Sequence, residues 1–292
     1  MNLYIILGIV ILMMIILGTV YIIWINEQIE LVFYEAETDS IQRGREPIKI
    51  VMLSDLHDHE FGAGNERLLQ AVRRQKPDLI LIAGDMFVKK PDFQGGTVLP
   101  FIKKLLEIAP VFYGNGNHEK KVRDFWEESR EAFVSYRQEL RDAGVKYLEN
   151  ETCDIIIKGQ NFHIAGLDLD LIHYQKIWHP ILLTQKELIE SIGRPKEDCC
   201  NILIAHNPQY FSFYKEWGAD LIVSGHVHGG IMILPFLGGV IAPNYRLFPK
   251  YDSGKFQEGK STMVLSRGLG VHSIKLRFFN KPELSVIYLK GK

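Results

Sequence analysis

Residues 48–57 read IKIVMLSDLH, and this stretch decides the fold. Its apolar run, Ile48–Leu53, is typical of a buried strand, and polar residues follow at once. A helical pattern over residues 65–75 comes next, and a second apolar run at 79–82 follows it. Strand, helix and strand in this order predict neighbouring parallel strands in an α/β fold.

The alternation continues along the chain. Further helices are expected at 98–108, 122–143 and 209–217, and further strands at 111–113, 153–158, 161–167, 202–204, 221–223, 263–265 and 284–289. Early strand–helix–strand units and later hairpins predict two mixed β-sheets packed as a sandwich and flanked by helices.

The N-terminal segment Leu3–Ile25 has no charged side chain. As a helix it would be about 34 Å long, enough to cross a hydrocarbon core of about 30 Å. A cleavable signal peptide or a buried helix are the alternatives, but the run is long and no basic residue precedes it. We therefore predict a transmembrane anchor over 1–25, a juxtamembrane linker over 26–47 and one large domain over 48–292.

Charge and cysteine content narrow the function. The chain has 34 lysines and arginines against 35 acids, so no basic footprint for nucleic acid is present and no nucleic-acid partner is expected. Its three cysteines have neither a disulfide framework nor a zinc spacing. The composition carries no prediction of oligomeric state.

Five polar segments follow predicted strands and carry candidate metal ligands. They are Asp55-Leu56-His57, Gly84-Asp85, Gly116-Asn117-His118-Glu119, Ala205-His206-Asn207 and Gly225-His226-Val227-His228. Ligands gather at the carboxyl ends of strands in open α/β sheets, and residues i and i+2 of an extended segment point the same way. Any one segment alone also fits a surface turn, a helix start or a structural histidine pair. Their joint occurrence predicts a site for divalent Mn, Fe or Zn rather than Mg alone.

This ordered set, D-x-H, G-D, G-N-H-E, H and G-H-x-H, resembles the calcineurin-like metallophosphoesterase superfamily from about residue 48 to 289. Gly229-Gly230 with Leu234-Pro235, and then Ser266-Arg267-Gly268-Leu269-Gly270, resemble its membrane-associated bacterial branch. That branch includes cell-wall-associated phosphoesterases and enzymes similar to UDP-2,3-diacylglucosamine pyrophosphatases. The resemblance implies a double β-sandwich flanked by helices, in agreement with the pattern above.

The resemblance also implies roles, and every position of the motif carries the expected residue type. One metal ion would be held by Asp55, His57 and His228. A second would be held by Asn117, His206 and His226, and Asp85 would bridge the two. His118 would contact the phosphate and protonate the leaving group. Two departures, Met86-Phe87-Val88 and the approach Tyr113-Gly114-Asn115-Gly116, leave substrate preference open.

In such a site a solvent ligand shared by the two metals would ionise and attack phosphorus. The expected function is a membrane-anchored phosphoesterase acting on a phosphodiester or pyrophosphate, including lipid-linked or envelope substrates. The resemblance favours an extracytoplasmic catalytic domain. Alternatives are a broad-specificity phosphomonoesterase or nucleotide phosphodiesterase, and a tethered metal-binding module without catalysis.

Four polar residues are weaker candidates. Arg267 is expected to reach the substrate phosphate, although a structural salt bridge fits equally well. His59 is expected to line the pocket, with a solvated loop histidine as the alternative. Asp168 and Asp170 follow a predicted strand, as turn residues or as carboxylates that support the site.

Overall fold

The computed structural model describes residues 3–175, 181–230, 233–234, 238–239, 250–271, 277 and 279–292. Over this part of the chain, two six-stranded mixed sheets pack on each other and carry helices outside, so the predicted sandwich is confirmed. Pro235, part of the Leu234-Pro235 resemblance, lies outside the described residues.

The strands in chain order are β1 (Glu30–Thr38), β2 (Ile48–Leu53), β3 (Leu79–Ile82), β4 (Val111–Gly114), β5 (Lys146–Leu148), β6 (Glu151–Ile157), β7 (Gln160–Leu167), β8 (Cys200–Ala205), β9 (Leu221–Ser224), β10 (Ile233–Leu234), β11 (Gly238–Gly239), β12 (Gly254–Glu258), β13 (Ser261–Leu265) and β14 (Glu283–Gly291). The helices are α1 (Leu3–Asn26), α2 (Glu66–Gln75), α3 (Val98–Leu105), α4 (Asn117–Phe125), α5 (Glu127–Ala143), α6 (Gln185–Ile192) and α7 (Phe211–Trp217). The first sheet has the order β1-β14-β2-β3-β4-β5, and the second has β12-β13-β9-β8-β7-β6.

Side-chain alternation along β2 explains why the two sheets pack together. Ile48, Ile50 and Met52 face the core between the sheets. Val51 and Leu53 face the other way, into the core beneath α2, α3 and α5. Because successive side chains of a strand point to opposite faces, an unbroken apolar run is buried on both sides. This is the pattern that residues 48–53 carry in the sequence.

Strand direction brings the polar segments to one edge. β2, β3 and β4 are mutually parallel in the first sheet, and β8 and β9 are parallel in the second. The loops at their carboxyl ends are joined by backbone hydrogen bonds, from Asp55 N–H to Gly84 O at 2.9 Å and from Gly225 N–H to His206 O at 3.1 Å. A single site at this edge therefore receives residues from both sheets.

The stretch 26–47, expected as a linker, differs from that expectation. Residues 30–38 form β1, which pairs in parallel with β14 along its whole length. Ala36 and Thr38 are buried, and the Tyr34 hydroxyl donates a hydrogen bond to Glu283 at 2.9 Å. The apolar residues 31–34 give no local signal of a strand because their partner strand lies about 250 residues away in the sequence.

A second difference concerns the long helix expected over 122–143. The structure has two helices, α4 and α5, and the extended backbone of Trp126 separates them. Ser129 donates hydrogen bonds to the carbonyls of Val122 and Trp126 and so stabilises the bend. Gly144, in the left-handed region at φ 111°, ends α5 as its position in the sequence predicts.

The N-terminal helix α1 contains 24 residues and is apolar along its length. It is long and apolar enough to cross a membrane, a test that a signal sequence also passes. Its side chains are mostly exposed until Ile25, which is buried against the domain.

Candidate metal centre

Five polar residues at the edge shared by the sheets have left-handed backbones. The φ angles are 52° for Asp55, 50° for His57, 54° for Asp85, 74° for His226 and 55° for His228. The extended geometry expected for the D-x-H and H-x-H pairs is therefore wrong, although each pair still converges. Non-glycine residues rarely adopt this region, and it concentrates at functional sites where packing enforces it.

Two glycines allow the loops to approach this closely. A Cβ at Gly225 would overlap the Ser54 hydroxyl and the carboxylate of Asp55, and one at Gly116 would overlap the carboxylate of Asp85. Each glycine thus lets the backbone of one loop lie directly against a carboxylate from another. A larger residue at either position would separate the loops.

The first cluster consists of Asp55, His57 and His228, whose ligand atoms lie within 4.8 Å of one another. His57 Nε2 and His228 Nε2 are 3.1 Å apart. Asp55 Oδ1 lies 3.4 Å from His228 Nε2 and 3.8 Å from His57 Nε2. All three residues are buried. The arrangement presents two imidazole nitrogens and one carboxylate oxygen to a common point.

The second cluster consists of Asp85, His206 and His226. His206 Nε2 lies 3.1 Å from Asp85 Oδ2, and its Nδ1 is 2.6 Å from the carbonyl of Ala83. Because a carbonyl only accepts, Nδ1 of His206 carries a proton, and Nε2 is the ring nitrogen that faces the cluster. The buried Oδ1 of Asn117 has no hydrogen-bond partner among the described residues.

His118 lies beside both clusters and is held differently from the other histidines. Its Nδ1 accepts a hydrogen bond from the Lys89 N–H at 2.8 Å, so its proton is on Nε2. That Nε2 is 4.0 Å from Asp85 Oδ2, and the His118 backbone N–H donates to Asp85 Oδ1 at 2.7 Å. The side chain therefore presents an N–H donor to the site.

In the metal-free site, burial and the charges of neighbouring side chains shift the pKa values of the candidate ligands. Burial and the charge of His206 lower the pKa of His226 to about 3. Burial opposes the charging of His206, but the carboxylates of Asp85 and Asp55 raise the pKa of His206 to about 10. Burial likewise disfavours ionised Asp85, yet His206 and His118 hold its pKa well below the usual value. Burial raises the pKa of Asp55 to about 6.

Comparison with known proteins identifies the family. The family model for calcineurin-like phosphoesterases matches residues 48–230. The chain belongs to the calcineurin-like phosphoesterase family. It is 28% identical over 272 residues to the metallophosphoesterase YkuE of Bacillus subtilis, covering 90% of this chain and 86% of that protein. It is 26% identical to the phosphodiesterase YaeI of Escherichia coli over 246 residues, covering 83% and 82% of the two chains.

Solved structures show a more distant likeness. The phosphopantetheinyl hydrolase PptH of Mycobacterium tuberculosis aligns with 76% of this chain and 89% of its own, at 14% identity and a TM-score of 0.46. The family relationship therefore carries the conclusion that this calcineurin-like phosphoesterase is a phosphoester hydrolase that uses divalent metal ions.

The residues present in this calcineurin-like phosphoesterase fit such ions. Both clusters combine imidazole nitrogen with carboxylate oxygen, the donor set of first-row divalent metals. The uncompensated Oδ1 of Asn117 is a buried acceptor, which normally costs free energy unless a partner satisfies it. Asp85 belongs to a ligand group with His57 and to another with His206 and His226, so it lies between the clusters.

Two residues expected to bind substrate, Arg267 and His59, lie outside the ligand clusters. The guanidinium of Arg267 donates to Glu283 and to Glu30, both at 2.7 Å. Arg267 therefore forms a structural salt bridge, the alternative named above. The reason is β1, whose Glu30 supplies the second carboxylate. His59 packs edge-on against Phe61 and has its Nε2 3.6 Å from Glu27 Oε1, at the end of α1. His59 therefore lies at the rim of the metal centre, outside the two ligand clusters.

The other weak candidates support α4. Asp168 is buried and accepts hydrogen bonds from Arg123 at 2.9 Å and Lys120 at 3.4 Å. Asp170 lies 3.0 Å from the Lys120 ammonium but is itself largely exposed. These pairs fix the helix that begins at Asn117 and His118.

Three supporting residues were not predicted as part of the site. Glu119 accepts hydrogen bonds from the loops after β3 and β4, and its place at the third position of α4 gave a readable capping signal. Asn280 donates to the carbonyls of His228 and Gly230, at 2.8 and 2.9 Å. Arg277 is buried and donates to the carbonyls of Gly268 and Gly270. The last two carry no local sequence signal.

Proposed function

We propose that this chain is a membrane-anchored phosphoesterase with a two-metal centre that hydrolyses phosphodiester or pyrophosphate bonds, including those of lipid-linked or envelope substrates. Asp55, His57 and His228 would hold one ion. Asn117, His206 and His226 would hold the second, and Asp85 would bridge them. The observation that carries the proposal is the position of Asp85, which belongs to the second cluster and shares a further ligand group with His57 of the first cluster and with His118.

The metal ions, when bound, would supply Lewis-acid activation of water and neutralise charge on the phosphoryl oxygens. The chain's own residues then account for the remaining requirements. His118 directs its Nε2–H toward the cluster edge, where it can donate a hydrogen bond that stabilises a departing alkoxide. Lys89 and Lys90 are exposed in the loop that contacts His118 and place positive charge at the entrance. An anionic phosphoester is therefore the favoured ligand class.

The preference for diesters rests on the sequence resemblance and on the printed name of the Escherichia coli relative, a phosphodiesterase. The membrane anchor rests on the length and composition of α1. The extracytoplasmic side rests on resemblance to the membrane-associated branch, and protease protection of the domain in intact cells tests it.

The decisive experiment uses the full chain in detergent or nanodiscs. Bound metal is measured, and turnover is compared for bis(p-nitrophenyl) phosphate, p-nitrophenyl phosphate and a lipid pyrophosphate. Asp85→Asn should lose metal and at least about 10³-fold in turnover, because it removes the shared carboxylate. Asp220→Asn is the matched control, since Asp220 bonds Asn201 N–H at the other end of the strands. Full turnover in metal-loaded Asp85→Asn would overturn the proposal.

A further inference from the structure

The end of α1 is seated beside the loop that carries Asp55 and His57. Glu27, directly after the helix, accepts hydrogen bonds from Arg67 through its carboxylate at 3.1 Å and its carbonyl at 2.6 Å. The Glu27 carboxylate also lies 3.6 Å from Nε2 of His59. His59 is two residues beyond His57. The apolar helix therefore leaves the domain on the side of the metal centre.

A second contact joins α1 to the other wall of the site. The ring of Tyr21 lies 6.1 Å from the ring of Phe279, and the Phe279 N–H is 3.4 Å from the Tyr21 hydroxyl. The next residue, Asn280, holds the carbonyls of His228 and Gly230. Phe279 is thus adjacent in sequence to the residue that holds the loop of His228, one of the proposed ligands.

The position of Tyr21 along α1 indicates how deep Phe279 would lie relative to a bilayer that α1 spans. Tyr21 lies five residues before Asn26, so its Cα is roughly 7.5 Å along the axis from the helix end. Tyr21 and Trp24, with rings 6.3 Å apart, form the aromatic pair that marks a membrane–water interface. If α1 spans the bilayer, Phe279 lies at the depth of that interface.

Phe279 also has the properties of a residue that contacts lipid. Its side chain is 57% exposed, although it is large and apolar. Its φ of 53° is in the left-handed region, which an aromatic residue seldom adopts without a structural cause. The local backbone therefore directs a large apolar side chain toward α1 and solvent, and away from the domain core.

We infer that the metal centre faces the bilayer, with Phe279 inserted at the interface, and that the substrate is a phosphoester retained in the membrane by an apolar group. The inference rests on the proposed function. The phosphate of such a substrate lies at the headgroup level, next to the rim formed by residues 57–59 and 279–280. Lys89 and Lys90 are exposed in the loop that contacts His118, and their positive charges complement the phosphate.

The first test compares two substrates with one leaving group, dioleoyl-glycerophospho-p-nitrophenol in vesicles and its water-soluble deacylated analogue. We expect the full chain, reconstituted in the same vesicles, to hydrolyse the bilayer-held diester at least tenfold faster. Phe279→Asp should lose about tenfold on the bilayer-held diester and stay within twofold on the soluble one. Phe125→Asp is the matched control, since Phe125 is 58% exposed and lies at the far end of α4. Equal rates on both diesters, or equal effects of the two variants, would overturn the inference.

The second test does not depend on catalysis, so it separates this inference from the proposed function. A phospholipid with a diazirine near its headgroup is photolysed in proteoliposomes, and the labelled peptides are mapped. We expect label on α1 and on the tryptic peptide 278–290, which begins after Arg277 and runs past Lys281 because trypsin does not cleave before Pro282. The peptide containing Ile156, which is 70% exposed on β6, should remain unlabelled. Absence of label from the Phe279 peptide, or equal labelling of the Ile156 peptide, contradicts the membrane-facing orientation even if the enzyme is active.

Discussion

The carboxylate of Glu119 accepts a hydrogen bond from the backbone N–H of Asp85 at 2.9 Å. It accepts three more, from Met86 N–H at 2.9 Å, Gly116 N–H at 3.0 Å and the Tyr113 hydroxyl at 2.7 Å. Burial and the charge of Asp85 raise the pKa of Glu119 to about 7. One buried carboxyl thus joins the loops that follow β3 and β4, and these loops carry the residues proposed to bind metal.

Glu119→Gln should therefore weaken metal binding although Glu119 is not a proposed ligand. The amide replaces an acceptor oxygen with an NH₂ group that faces N–H donors, so about two hydrogen bonds are lost. We expect metal affinity to fall roughly 10- to 100-fold, the usual effect of removing a group that orients ligands. Isothermal titration with Mn²⁺ or Zn²⁺ measures it, and excess metal should restore part of the turnover.

Glu187 provides the matched control because it occupies the same third position of α6. It accepts hydrogen bonds from the Thr184 N–H at 2.7 Å and the Thr184 hydroxyl at 2.8 Å, but it is exposed and remote from the clusters. Glu187→Gln should lower helix stability slightly and leave metal affinity unchanged. Identical metal affinities for Glu119→Gln and wild type would show that Glu119 does not position the site.

His118→Asn should separate hydrogen-bond donation to the leaving group from metal binding. An asparagine oxygen can still accept the Lys89 N–H that His118 Nδ1 accepts at 2.8 Å, but no N–H remains at the position of Nε2. We expect turnover of an alkyl phosphodiester to fall about 10²–10⁴-fold. Turnover of bis(p-nitrophenyl) phosphate should fall much less, because p-nitrophenolate leaves without a proton. Metal content should stay at the wild-type value.

His163→Asn is the control for this substitution. His163 is buried on β7 and pairs with Asp154 at 2.7 Å, away from the clusters. It should reduce stability alone. A defect in His118→Asn that is equal for the two leaving groups would contradict the role of hydrogen-bond donor to the leaving group.

The fold followed from the sequence because its strands are buried on both faces. Apolar runs such as 50–53 and 79–82 predict such strands, and their parallel order predicts one edge at which the polar segments meet. The backbone conformation of the site residues could not be predicted from the sequence. Asp55 and His57 converge through left-handed backbones that loop packing enforces, and no propensity of these residue types specifies that geometry.

Long-range pairing accounts for the other differences. The sequence predicts a linker at β1 because its acidic, alternating residues have no partner nearby, and β14 supplies one from the opposite end of the chain. The same pairing places Glu30 beside Arg267 and forms a salt bridge with it. Asn280 escaped prediction for a similar reason, since its contacts with His228 and Gly230 exist only in the folded chain.

The β1 pairing makes a prediction about truncation. A chain beginning at Pro47 lacks β1 and leaves the edge of β14 unpaired, whereas a chain beginning at Glu27 keeps it. We expect the shorter chain to melt roughly 5–10 °C lower and to aggregate, consistent with a loss of about 2–3 kcal/mol in a domain of this size. Thermal melts and light scattering measure this. Equal melting temperatures would mean that β1 contributes little to the sheet.

Asn280→Ala should loosen the loop that carries His228. It removes hydrogen bonds to two carbonyls, at a cost of about 1–3 kcal/mol in stability, and it should lower metal affinity roughly 10-fold. Asn201→Ala is the control, because Asn201 also bonds backbone groups, those of Lys196 and Cys199, at the other end of β8. Both variants should melt earlier, and only Asn280→Ala should require more metal for half-maximal turnover.

Metal binding should release protons in a way that the metal-free pKa values specify. The pKa of His206 is about 10, so at pH 7 this histidine is protonated beside Asp85 and must lose its proton to bind a metal ion. Its raised pKa means that the stabilisation from the ion pair is complete below about pH 6.5 and is lost as the pH rises toward 10. Metal and proton compete, so apparent metal affinity should rise by about one log unit per pH unit between pH 6.5 and 8.5.

Below pH 6 the dependence should become steeper, because the pKa of Asp55 is about 6 and a second proton must then leave. Titrations in buffers with different ionisation enthalpies count the protons directly, and at least one per protein is expected at pH 7. His206→Gln should remove that proton and flatten the profile above pH 6.5. A count of zero at pH 7 in the wild-type chain would mean that His206 is neutral before metal binds, and the ion pair with Asp85 would then be absent from the metal-free protein.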